Sequence, residues 1–107
     1  MSMNVCFEYL YRDAGNFKNW GEIIFSNRKG HSVHYLKQQA RKVLIDGEFF
    51  VADKANVPNL QFQEHITALD HDWHEFYSLE PSTISPNDSL GRDIEAFIEA
   101  LKYASKI

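Results

Sequence analysis

Apolar and polar side chains alternate from Val5 to Tyr11, with Val5, Phe7, Tyr9 and Tyr11 on one face and Cys6, Glu8 and Leu10 on the other. A period of two belongs to a strand with one strongly apolar side. A second strand is predicted from Trp20 to Ser26. Between them, Asp13, Gly15, Asn16 and Asn19 form a turn-rich stretch too long for a tight hairpin turn, so an antiparallel pair joined by a longer loop is expected. Asn27 and Gly30 then interrupt the strand.

Ser32 offers a side-chain oxygen as an N-cap. Val33, Leu36, Ala40, Val43 and Leu44 follow at helical spacing, while Lys37, Gln38, Arg41 and Lys42 lie off that face. Gly47 is the expected end of this helix. Glu48 to Val51 reads as a short strand or an extended entry, and Asn56, Pro58 and Asn59 mark a loop with little regular structure beyond a turn. Phe62 to Leu69 fits a helical turn and irregular packing equally.

From Trp73 to Leu79 the alternation is loose, with Trp73, Glu75, Tyr77 and Leu79 set against His74, Phe76 and Ser78. It predicts a third strand that ends before Pro81. The cleanest amphipathic pattern is the last: Leu90, Ile94, Phe97, Ile98, Leu101 and Ala104 share a helical face, with Asp93 and Glu95 early and Lys102 and Lys106 late, as the helix dipole favours. Its start is placed between Pro86 and Gly91. The expected fold is α+β, a small antiparallel sheet with two amphipathic helices packed on one face, and residues 1–107 are read as a single globular domain.

Composition narrows this picture. At 44% hydrophobic and 14% aromatic residues, the 107-residue chain can fill one modest core without metal or cross-links. A single cysteine, Cys6, excludes an intramolecular disulfide and a Cys-rich zinc site, and favours a reducing cytoplasm. Apolar runs such as Val43–Ile45 and Phe49–Ala52 fall far short of the roughly 20 residues a membrane helix needs, and Met1–Leu10 has no targeting pattern. The chain is therefore read as soluble and untargeted.

A net charge of −4 argues against nucleic-acid binding. Its distribution says more. Residues 1–54 carry net +2, and residues 92–107 balance; residues 55–91 hold six acids, no Lys or Arg, all three prolines and three of the five histidines. The whole acidic excess lies in that one irregular segment.

Three blocks stand out along the chain: Tyr11-Arg12-Asp13-Ala14-Gly15-Asn16-Phe17-Lys18-Asn19-Trp20-Gly21, Asp46-Gly47-Glu48-Phe49-Phe50 and Asp70-His71-Asp72-Trp73-His74-Glu75-Phe76. Together with Gly91-Arg92-Asp93-Ile94, they make the chain resemble a family of small uncharacterised bacterial proteins. The resemblance spans nearly the whole sequence and implies no activity and no functional residue.

The segment Asp70-His71-Asp72-Trp73-His74-Glu75 packs three carboxylates and two imidazoles into six residues, with Glu64 and His65 just upstream. If extended, Asp70, Asp72 and His74 share a face; if helical, His71, His74 and Glu75 converge. Either arrangement suits a divalent cation with mixed nitrogen and oxygen ligands, and a solvated loop capping the next strand suits the same residues. No nucleophile signature, phosphate loop or cofactor fingerprint accompanies them. The loop from Asp13 to Gly21 brings Arg12, Lys18 and Trp20 near one another, either to grip a partner or with Trp20 folded inward. Lys37, Arg41 and Lys42 form a basic helix face that could neutralise the acidic segment within the chain or across a homodimer.

The leading expectation is a non-enzymatic bacterial interaction protein of immunity, antitoxin-like or regulatory type. It would present the acidic, aromatic residues 64–80 to a basic protein partner, with Asp70, Asp72, Trp73 and Glu75 as binding residues and no cofactor. The alternative is a metal-binding module or metal-dependent hydrolase using His71, His74, Asp70 and Asp72 with a divalent metal. A purely structural role as a symmetric oligomer is the third.

Overall fold

The computed structural model describes residues 3–62 and 73–106. In chain order these form β1 (Asn4–Arg12), β2 (Lys18–Phe25), α1 (Val33–Val43), β3 (Phe49–Phe50), α2 (Ala52–Ala55), β4 (His74–Ser82) and α3 (Ile94–Ala104). The strands make one antiparallel sheet in the order β2-β1-β4-β3, so the fold is α+β as expected. No described helix is long and apolar enough to cross a membrane.

β1 and β2 pair without interruption from Val5–Phe25 to Arg12–Lys18. The apolar face of β1 therefore continues across β2 as Phe25 and Ile23, and this face receives Leu36 and Ala40 of α1 and Phe97, Ile98 and Leu101 of α3. Phe7 is fully buried at the centre, with the rings of Tyr9, Phe50, Phe76 and Phe97 between 4.8 and 6.0 Å away. Burial of such rings supplies most of the driving force for a core of this size. Gly21 serves close packing: a Cβ there would stand 3.1 Å from the Tyr9 ring and from Leu60. Tyr9 in turn donates its hydroxyl to the Pro58 carbonyl at 2.7 Å.

β4 departs from the expected alternation. Glu8 is paired with Ser78 but Tyr9 with Phe76, so Tyr77 is an extra residue, a β-bulge. The bulge resets the phase: His74, Phe76 and Leu79 are all buried in the core, and Tyr77 is 55% exposed. The sequence reading that put Leu79 with Tyr77 and Glu75 is corrected by this insertion. β4 also continues through Pro81 to Ser82. Since β3 spans only Phe49 and Phe50, opposite Glu75 and His74, β4 is in effect an edge at Pro81, where a missing N–H is tolerated.

The helices keep their predicted faces but not their predicted ends. Ser32 caps α1 by accepting the Tyr35 N–H at 3.1 Å. The helix stops at Val43, ahead of the turn in which Asp46 and Gly47 take φ of 52° and 72°. A one-turn helix, α2, precedes the loop marked by Asn56, Pro58 and Asn59. α3 begins at Ile94, after Pro86 and Gly91, and Leu90 is 59% exposed rather than part of its apolar face. The reason lies in Asp88, whose carboxylate accepts the Arg92 N–H at 3.0 Å while Gly91, at φ 63°, donates to the Asp88 carbonyl at 3.0 Å. That closed turn holds residues 88–92 out of the helix, leaving Asp93 as the N-cap.

Arg92 fastens this turn to the core. Its guanidinium donates to both Asp88 oxygens at 2.9 Å and to the carbonyls of Ala55 and Asn56 at 2.7 and 3.1 Å, and it lies 5.1 Å from the Phe97 ring. The Asp88 side chain is only 1% exposed, and its hydrogen bonds from Arg92 hold the carboxyl below its ordinary pKa.

Two results are expected from denaturant unfolding. Arg92→Met, which leaves Asp88 buried without its cation and two carbonyls without donors, costs about 3 kcal/mol or more. Leu79→Ala costs about 2–5 kcal/mol, whereas Tyr77→Ala costs under about 1 kcal/mol, a contrast that an unbulged strand would not produce.

Candidate functional site

Because the helices bury one face of the sheet, the side chains of the opposite face are the ones available for contact. On β1 this face carries Cys6, Glu8, Leu10 and Arg12, whose register partners on β2 are Ile24, Glu22, Trp20 and Lys18; Leu10 and Ile24 are themselves buried, which leaves Cys6, Glu8, Arg12, Glu22, Trp20 and Lys18. β4 adds Glu75, Tyr77, Ser78 and Glu80. Two aromatic rings stand out in this polar surrounding. Trp20 is 49% exposed, and its ring meets that of Tyr77 edge-on at 4.8 Å, while Leu10, the register partner of Trp20, is buried.

The acids of this face divide into two kinds. Glu75 accepts the Arg12 Nε–H at 2.9 Å and Glu80 accepts from Lys37 at 3.3 Å, so both are neutralised within the chain. The second contact realises one of the roles considered for the basic face of α1. Arg41, from the same face, instead donates to the Gly47 carbonyl at 2.9 Å and lies 4.8 Å from the Phe76 ring.

Glu8 and Glu22 sit directly opposite each other, and among the described residues neither has a cation within ion-pair distance. Like charges in that position are unfavourable. Their carboxylates and the Cys6 sulfur lie within 4.8 Å of one another, an arrangement that exposed acids commonly adopt without any ion. The Cys6 thiol donates to Glu22 at 3.5 Å. Burial, the Glu22 hydrogen bond and the charges of Glu22 and Glu8 together push its pKa up to about 11, so the group is a thiol and not a thiolate near neutrality.

Of the residues singled out in the sequence, Asp70, His71 and Asp72, with Glu64 and His65, lie outside the described residues. Trp73 is half-buried, with its ring 5.6 Å from Phe49. His74 is fully buried among the rings of Tyr9, Tyr11 and Phe50, and its Nε2 accepts the Leu60 N–H at 2.9 Å. Glu75 is tied to Arg12. Cys6, Glu8 and Glu22 were not singled out in the sequence, and neither was the meeting of Trp20 with Tyr77. Their alternation was readable, but the register that brings them together across three strands is not a local property.

No match to this chain is found among protein-family models, curated proteins or solved structures.

The thiol supplies a direct probe of this surface. Alkylation of Cys6 is expected to be slow at pH 8 and to rise with pH toward about 11, the elevated pKa. Glu22→Gln, which removes the charge while burial and the neighbouring Glu8 remain, is expected to accelerate the reaction at pH 8 by about threefold.

Proposed function

We propose that this protein is a non-enzymatic interaction protein, of immunity, antitoxin-like or regulatory type, that binds a basic protein through the open face of its sheet. The observation that carries the reading is the exposed Trp20–Tyr77 pair set beside Glu8 and Glu22, two acids with no ion-pair partner among the described residues. Aromatic rings of this kind anchor interfaces at low entropic cost, and uncompensated carboxylates steer and orient a cationic partner. Arg12–Glu75 and Lys37–Glu80 would form the neutral rim around that centre.

Within residues 64–80 the weight of the expected surface falls on the open face of β4. Tyr77 becomes the anchor from that segment and Glu75 a positioned rim residue, while Asp70 and Asp72 lie outside the described residues.

The test is quantitative capture of basic proteins from a bacterial lysate, comparing the wild type with Glu8→Gln/Tyr77→Ala and with Asp70→Asn/Asp72→Asn. A basic protein held by the wild type and reduced about tenfold by Glu8→Gln/Tyr77→Ala is expected. Equal retention by that variant and the wild type, or loss confined to the Asp70/Asp72 variant, would overturn the assignment of this face.

A further inference from the structure

β2 is one of the two edges of the sheet, and its backbone groups can be assigned a direction. The Ile24 N–H donates to Asn87 Oδ1 at 2.8 Å, and the Ile24 carbonyl accepts the Asn87 N–H at 3.0 Å. Ile24 therefore points its backbone groups away from β1, and by the two-residue period of a strand so do Glu22, Trp20 and Lys18. At the other end of the hairpin, the Asp13 N–H donates to the Phe17 carbonyl at 3.0 Å, which fixes the same parity. Asn87 thus closes the edge at Ile24, while among the described residues the outward groups of Lys18, Trp20 and Glu22 have no backbone partner. All three side chains are exposed. An open edge of this sort is a template for another strand.

The charges along this edge specify which strand. Across β1, Glu22 faces Glu8, and Lys18 faces Arg12, so each charge lies opposite one of its own sign. If a second β2 is laid antiparallel about Trp20, Trp20 opposes its own copy, Lys18 opposes Glu22, and Glu22 opposes Lys18. These are the residues whose backbone groups point outward, so each facing pair can exchange hydrogen bonds, and each like-charge contact gains an opposite charge beside it. The two tryptophans would adjoin on the outer face, and the Asn87 stop at Ile24 limits the pairing to Lys18–Glu22.

We infer that the Lys18–Glu22 edge of β2 is a self-association surface, and that its partner is a second copy of this chain, paired antiparallel about Trp20 to extend the sheet across a twofold axis. A twofold interface requires one patch to be its own complement, which the Lys18-Asn19-Trp20-Gly21-Glu22 sequence satisfies. This edge shares Trp20 and Glu22 with the proposed partner surface, but its own evidence is the backbone direction and charge order of Lys18–Glu22, and Glu8→Gln/Tyr77→Ala, which lies outside the paired strand, tests the partner surface separately.

Sedimentation velocity at low ionic strength tests it through charge exchange. The wild type is expected to dimerise with rising concentration. Lys18→Glu alone and Glu22→Lys alone should each weaken dimerisation by about tenfold, because each places two like-charge pairs across the axis. Mixing these two single variants should restore association, as should the double variant Lys18→Glu/Glu22→Lys. A wild type that stays monomeric at millimolar concentration overturns the inference and leaves the edge to a different chain. A dimer indifferent to the exchange, or one that the mixture fails to restore, overturns the register.

Discussion

The bulge at Tyr77 is the constraint from which the functional surface follows. The apolar residues of β4, Phe76 and Leu79, are three apart, and a regular strand would send one of them to each face of the sheet. Inserting one residue brings both into the core with His74 and leaves Tyr77 on the open face. There it meets Trp20, although the two strands that carry them are separated by β1. Core packing and the exposed aromatic pair are thus two consequences of a single local irregularity. This suits the tendency of bulges to re-aim side chains at sites of contact.

Much of the remaining chain serves to close one side of the sheet. Arg92 joins the turn at Asp88 to the end of α2 and to the rings of Phe25 and Phe97. Asp93 caps α3 and at the same time accepts from the Ser26 hydroxyl and the Arg28 N–H, each at 2.9 Å, so the start of α3 is fixed to the end of β2. The same connection supplies Asn87 to the β2 edge. Residues 86–93 therefore decide where the last helix begins and how much of the sheet edge remains open.

What could be read in the sequence depended on how local its cause was. The apolar face of β1, the Ser32 cap and the faces of both long helices follow from short-range periodicity and capping chemistry, and all appear in the fold. The end of the third strand differs because proline is not a stop at Pro81, and the start of α3 differs because the helix begins after Gly91 and not between Pro86 and Gly91. Pro81 is tolerated because β3 is too short to reach it, and residues 88–92 form a turn because Asp88 and Arg92 bond to each other. Neither fact is local. The same holds for the surface: alternation placed Glu8 opposite the core, but only the register with β2 sets it against Glu22 and leaves both acids without a cation among the described residues.

The direction of Tyr77 decides which face carries the aromatic pair, and the nuclear Overhauser effects of its ring report that direction most directly. Contacts from the Tyr77 ring to the Trp20 indole, together with contacts from the Leu79 methyls to the rings of Phe7 and Phe97, are the predicted result. Tyr77 contacts to the Phe7 cluster, with the Leu79 methyls free of it, would contradict the bulge and the surface derived from it.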